Sequence, residues 1–324
     1  MESQKKSNSN YLPYSPHSPE YYDDEVDLRE LFRVLWKGKL IIIATTFVFA
    51  VGSVLYALNL PNIYRADALL APAESASGSN LSQMAGQLGG LAALAGVNIG
   101  ASESSQTELA VQVMRSRQFI EGFISKHDLL VPLMAARDWD LNNNKLILDD
   151  EVYDEKSNKW LREPKGLRGV EPTAQEAYET FRKDIFEISE DKKNGLYSVS
   201  VKHYSPYIAQ QWVDWLVQDI NNVMRERTIK EASKNLDYLN AQLEKTSITD
   251  MQSTFYKLIE EQTKSLMLAE VQEEFVFKVI DPAVLSELKH EPNRAFLCIV
   301  GTVFGMIFGI GILFVFTVLK SEEK

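Results

Sequence analysis

The chain has 324 residues, 34 basic and 45 acidic, for a net charge of −11; hydrophobic residues make up 45% and charged residues 24%. These averages describe an acidic soluble protein of one or two domains, and they argue against general nucleic-acid binding and against a disordered chain. A single cysteine, Cys298, excludes an intramolecular disulfide framework. The averages conceal a segregation, because Leu40–Leu60 and Ala295–Leu319 hold 21 and 25 residues without one charge. As helices rising about 1.5 Å per residue they reach about 31 and 37 Å, enough to cross a hydrocarbon core of about 30 Å.

Residues 1–22 are rich in Pro, Ser and Tyr and lack a hydrophobic period, so they predict a disordered tail, with a phosphorylated or partner-binding tyrosine tail as the sharper alternative. Asp27–Lys39 (DLRELFRVLWKGK) places Leu28, Leu31, Phe32 and Leu35 at helical spacing, which predicts an amphipathic helix at the membrane surface. The first apolar run is too long and starts too late for a signal-peptide core, and Leu58-Asn59-Leu60-Pro61 is no small-residue cleavage site; a retained anchor is expected. Arg29, Arg33, Lys37 and Lys39 precede it and only Arg65 closely follows, which puts the N-terminus in the cytoplasm. A second span then returns residues 320–324 to the cytoplasm, although Lys289 and Arg294 oppose this locally. Taking the charges of the two cytoplasmic ends from the total leaves 26 basic and 36 acidic residues in 61–294, so nearly all the net charge belongs to the outside domain.

Within that domain, Ile63–Leu70 alternates and predicts a strand. Residues 71–106 hold six of the sixteen glycines, and Leu81–Ile99 is free of charge, which raises a rival third span. Its four glycines with Gln83, Gln87 and Asn98 favour a loop or short amphipathic helix near the bilayer. Thr107–Met134 predicts one or two helices carrying Leu109, Val113, Phe119, Phe123 and Ile124, and 139–172 predicts a polar, turn-rich stretch. Thr173 caps a predicted helix to Asp184 with Ala177, Phe181 and Ile185 on one face. Alternating residues on either side of Lys193-Asn194-Gly195 predict a β-hairpin. From Ser205-Pro206 a helix of about 40 residues is expected over 207–246, with Ile208, Trp212, Leu216, Ile220 and Val223 continued by Ile229, Ala232, Leu236, Leu239 and Leu243. At about 60 Å it must project or pack against copies of itself. A second helix, 251–271, runs back, and Phe275–Ile280 predicts a last strand. The expected fold is membrane-anchored α+β: two transmembrane helices, 40–60 and 295–319, flanking an outside α/β base domain, 61–294, with a long helical arm.

No motif for catalysis stands out: GxxxxGKS, HExxH and GxSxG are all missing. His17, His127, His203 and His290 are far apart and read as solvated or structural, and the carboxylate clusters at 23–25 and 149–151 lack a calcium-loop pattern. Neither a cofactor nor a metal site is expected. The second span is more informative, because Gly301, Gly305 and Gly309 repeat GxxxG and favour close approach of another helix, either the first span or a neighbouring subunit.

DLRELFRVLWKGK before a span, ADALLAPAE, LGGLAALAGVNIG, DMQSTFYKLIEEQTKSLMLAEV and EEFVFKVIDPAV, in that order, resemble Wzz-type O-antigen chain-length determinants, the class 1 polysaccharide co-polymerases. The resemblance runs from about Asp24 to Leu319. On the family's proline-rich membrane motif fall Pro282, Pro292, Arg294, Gly301, Gly305 and Gly309, with fewer prolines between 282 and 292 than the fullest pattern. The resemblance implies a bacterial inner-membrane protein with both termini cytoplasmic and its large domain in the periplasm. It implies a non-catalytic, ring-like homo-oligomer that sets the modal length of O-antigen lipopolysaccharide with a Wzy-type polymerase. Membrane lipid is an implied partner, nascent polysaccharide a further candidate, and nucleic acid is not one. The short C-terminal tail and missing phosphate loop set the chain apart from relatives fused to a tyrosine kinase. An anchored carbohydrate-processing enzyme and a ligand sensor are the alternatives.

Overall fold

A computed structural model describes residues 35–36, 38–73, 102–245 and 249–322. The tail at 1–22, most of the amphipathic helix at 27–39 and the charge-free run at 81–99 lie outside the described residues. The chain divides into two compact units, Met1–Leu58 with Arg294–Lys324, and Asn59–Asn293.

The first unit contains α1 (Lys39–Asn59) and α8 (Arg294–Glu322), each within a few residues of the charge-free runs. Among the described residues, two helices are long and apolar enough to cross a membrane: α1, and α8 over Arg294–Phe316. Large apolar side chains cover their outer surfaces, among them Phe47, Leu55, Phe304 and Ile307, which suits a hydrocarbon surround.

The second unit is built on an antiparallel sheet in the order β6-β7-β1-β8. Its strands are β1 (Tyr64–Pro72), β6 (Phe186–Asp191), β7 (Leu196–His203) and β8 (Phe277–Asp281). The register sets Ala66 opposite Val201, Ala68 opposite Val199 and Leu70 opposite Tyr197. Alternation puts these six on one buried face, while Arg65, Asp67, Ser198 and Lys202 take the other. The hairpin between β6 and β7 turns at Gly195, whose φ of +66° suits a residue without Cβ.

Between β1 and β6 come α2 (Ser102–Arg115), α3 (Arg117–Lys126), α4 (Leu130–Met134) and α5 (Ala174–Thr180). Helix α5 continues as one π-helical turn, Phe181–Ile185. The predicted Thr173 cap is present and forms a full capping box with Glu176. The stretch 139–172 holds more order than its polarity suggests. Two hairpins occupy 136–160: β2 (Ala136–Asp140) with β3 (Lys145–Leu148), and β4 (Tyr153–Asp154) with β5 (Lys159–Trp160). Their strands are too short for a clear alternation, and Asn144 and Asn158, at φ 47° and 51°, make their turns. Beyond them Arg162 holds the buried Glu176 carboxylate at 2.5 Å, and Arg168 reaches it at 3.1 Å. The Arg162 hydrogen bond is the main reason that this carboxyl titrates below the usual range.

Helix α6 (Pro206–Lys245) is 40 residues long, one residue out of step with the expected 207–246. Its first half covers the sheet: Trp212, Val213, Leu216 and Ile220 are almost wholly buried over Ala66, Val199, Val201 and Phe277. The buried stripe continues through Met224, four residues after Ile220, and not through Val223, which is 40% exposed. Helix α7 (Thr249–Val271) packs antiparallel to the second half of α6, and Asn235 donates to Gln262 at 3.2 Å. In that second half of α6 and in α7, only Ala232, Leu239 and Ala269 are buried.

His203, at the end of β7, is 3% exposed. Its Nε2–H donates to the Pro132 carbonyl at 3.0 Å, and its Nδ1 accepts the Ser205 N–H at 3.0 Å. That pairing fixes the neutral tautomer, since a proton on Nδ1 would face a second donor. Burial pushes the imidazole down to about 4. A lowered histidine pKa means that the unfolded chain binds the proton first, so stability falls with pH from about 6.5 to about 4. The loss is expected to approach about 3 kcal/mol, and His203→Gln should flatten this part of a melting-temperature against pH curve. An unchanged slope in the variant would assign the acid sensitivity elsewhere.

Candidate functional site: a glycine-faced helix pair

The two span helices meet along the face that the glycine repeat predicts. Gly301 lies against Ser53, Gly305 against Phe49 and Thr46, and Gly309 against Thr45 and Ile42. Rising numbers on α8 meet falling numbers on α1, so the helices are antiparallel. A Cβ built on Gly305 would stand 2.5 Å from the Phe49 Cβ and 3.2 Å from the Thr46 Cα, and one on Gly309 would stand 3.1 Å from the Ile42 Cα. Backbones this close are reached only through small residues, and the partner of the repeat is the first span of the same chain. The hydroxyls along the seam are satisfied within their own helices: Thr45 and Thr46 donate to Ile42 O, and Ser53 donates to Ala50 O. Phe49 also meets the rings of Phe304 and Phe308 at 6.5 and 5.5 Å.

One turn further the arrangement inverts. Leu313, 4% exposed, lies over Gly38, where a Cβ would overlap its Cδ1. Here the small residue is on the N-terminal side of α1 and the large one on α8. The sequence analysis assigns Gly38 no role; its place four residues before Ile42, the last repeat contact, is the signal that could have found it. Gly52 and Gly311 have nothing within 4 Å of a built Cβ and lie off the seam.

The other residues of the expected motif belong elsewhere. Arg294 opens α8. Pro282 directly follows β8 and lines a cleft of about 470 Å³ with Ala68, Asp214, Arg225, Glu273 and Glu274. In that cleft burial raises the Asp214 carboxyl above its usual range. Pro292 follows Glu291 through a cis peptide bond. Glu291 itself was not singled out by its sequence, yet its backbone bridges Ile63 and its carboxylate accepts from Lys202 at 2.7 Å. The Lys202 hydrogen bond holds this carboxyl below the usual range. The motif is therefore a glycine seam plus two proline positions at the ends of one extended approach, rather than one cluster.

Two further polar clusters join distant parts of the second unit. Asp219 of α6, its side chain 7% exposed, accepts from Lys126 at 2.6 Å and pairs with the His127 Nε2 at 2.9 Å. Trp215 stacks on the His127 ring at 4.2 Å. This ties the end of α3 to the long helix. Asn221 of α6 accepts from the Val276 and Phe277 amides and donates to the Phe277 carbonyl, all at 2.9 Å. Among the described residues no group of three or more His, Cys, Asp and Glu could hold a metal ion.

Residues 24–127 match the family model Wzz, chain length determinant protein. No curated protein matches the chain. Among solved structures, a full-length bacterial polysaccharide co-polymerase is similar at 13% identity and a TM-score of 0.37, over 92% of this chain and 99% of that one. A fragment of WzzB, a polysaccharide co-polymerase from Salmonella Typhimurium, is similar at 10% identity and a TM-score of 0.31, over 71% and 99%. At those scores the structural likeness is partial, and the weight falls on the family segment.

Proposed function

We propose, from the Wzz chain length determinant segment that this chain carries at residues 24–127, that the protein is a non-catalytic co-polymerase that regulates the length of a surface polysaccharide. The segment is the single observation that carries the reading. In it, α1 and α8 anchor the protein in the bacterial inner membrane, both termini are cytoplasmic, and residues 61–294 form the periplasmic chain-length domain. The protein works as a homo-oligomer beside a Wzy-type polymerase that makes the bonds.

Physical chemistry supports the assembly. A two-helix arm has one seam to bury, and its other faces stay in water unless another chain covers them. On this arm Tyr238, Met251, Tyr256, Leu258 and Met267 are all 40% or more exposed. Copies standing side by side would cover such residues, and no ligand chemistry is required. The sheet and the core beneath α6 would then serve as a rigid base holding each arm upright.

The reading is tested by deleting the gene in its host and resolving the surface polysaccharide by gel. Polymer should still be made, with its preferred length lost and short chains spread into a continuous ladder. An unchanged ladder, or no polymer at all, would overturn the reading, and the latter would point to an enzyme of assembly.

A further inference from the structure

Four residues of chain lead from Asn59, the last residue of α1, to Ile63, and three lead from Glu291 to Arg294, the first of α8. These two approaches are joined. Ile63 and Glu291 form an antiparallel bridge, in which the Ile63 N–H donates to Glu291 O at 2.9 Å and the His290 N–H donates to Ile63 O at 2.8 Å. Extended chain covers at most about 3.6 Å per residue, so the bridge stands no more than about 14 Å along one approach and about 11 Å along the other. Headgroups add about 5–8 Å to each side of a hydrocarbon core of about 30 Å. Spans that end at the edge of the core therefore keep the bridge within about 11 Å of that edge, a reach that includes the headgroup layer.

The side chains presented at this end fit that place. Next to Ile63, the Tyr64 ring meets Trp139 edge-on with centroids 5.7 Å apart, and Trp139 meets Tyr207 at 5.9 Å. The Trp139 Nε1–H donates to Asn144, and Tyr207 is 46% exposed. Leu288, three residues before the bridge, is 82% exposed, and Lys289 beside it is also exposed. One exposed leucine means little by itself. A leucine three residues from the bridge on one approach, with a Tyr-Trp-Tyr cluster that starts one residue from it on the other, is the composition of a membrane interface, where amphipathic rings find both apolar and polar partners.

We propose that this end of the inter-span unit seats in the lipid headgroup layer, with the Tyr64–Trp139–Tyr207 cluster and Leu288 against the bilayer and Lys289 among the phosphates. The seat rests on the reading of α1 and α8 as spans. It would stop the base from rocking, so that the long α6 arm keeps its angle to the membrane.

The test uses the full chain with Cys298→Ala, reconstituted into vesicles of phosphatidylethanolamine and phosphatidylglycerol, with one nitroxide per variant. Labels go on Leu288→Cys, Ile307→Cys and Lys193→Cys, and collision with oxygen and with a water-soluble nickel chelate is measured for each. Lys193 is in the turn before β7, whose register places it at the far end of the sheet from Tyr64. The oxygen-to-nickel ratio at Leu288 should lie several-fold above that at Lys193 and below that at Ile307, and Trp139→Ala should lower it. A Leu288 ratio equal to that of Lys193, with Ile307 still high, overturns the seat and leaves the spans intact. A low ratio at Ile307 removes the spans, and the seat with them.

Discussion

Gly305→Leu is expected to force the two span helices apart. The position of its Cβ is 2.5 Å from the Phe49 Cβ and 3.2 Å from the Thr46 Cα, and the second of these is backbone that can yield only by moving the whole helix. Overpacking a well-filled interior costs about 1–3 kcal/mol, and a clash with backbone belongs at the upper end. The variant should melt at a lower temperature in detergent and shift the polysaccharide length distribution. Gly311→Leu, with nothing within 4 Å, is the matched control and should do neither. Adding Phe49→Ala to Gly305→Leu removes the ring, whose Cγ is 3.1 Å from the built Cβ, and keeps the Phe49 Cβ and Thr46 Cα, so it should recover only part of the loss, which a merely damaged helix would not do. If Gly305→Leu lowers the melting temperature but leaves the length distribution unchanged, the seam serves anchoring alone.

The features that could be read in the sequence were those whose signal is local. Charge-free runs of span length, the alternation around Asn194-Gly195 and 40 residues without Pro or Gly each specify an element from neighbouring residues, and α1, α8, the β6–β7 hairpin and α6 follow from them. Spacing alone also located the glycine face, because three glycines four apart can only line one side of a helix. It could not choose the partner, since the contact Gly305–Phe49 joins residues far apart in the chain. The same limit hid the Asp219 cluster, whose Lys126 lies 93 residues away, and the role of Gly38, whose meaning depends on Leu313. The small hairpins at 136–160 were missed for a different reason. Strands of two to five residues cannot establish a period, and their order comes from turn asparagines and from Trp139 packed on Tyr64. The two prolines of the expected motif lie on segments whose course is set by tertiary pairing, β8 with β1 and Glu291 with Ile63, rather than by proline itself.

The largest loss of stability from one polar side chain is expected at Asn221. Strand β8 is an edge of the sheet, and its Phe277 amide and carbonyl, with the amide of Val276 just before it, bond to Asn221 of α6. The Asn221 amide takes the part of the missing strand, accepting two hydrogen bonds at Oδ1 and donating one at Nδ2 in a site only 4% exposed. Asn221→Leu keeps the volume but strands three buried backbone groups, each costing about 1–3 kcal/mol, so a total of about 3–9 kcal/mol is expected. Asn221→Asp should be nearly as damaging, because it keeps the two acceptances, loses the donation and buries a charge. The neighbouring Asn222→Ala, which gives up only a contact with the part-buried Arg225, should cost little. Hydrogen exchange read by mass spectrometry separates this from general unfolding: the peptide over 273–281 should lose protection before the β6–β7 hairpin does. Uniform loss across the sheet would show that Asn221 supports the whole core rather than the β8 edge. Because β8 leads directly into Pro282, release of this edge is also expected to loosen the segment 282–291 that follows it.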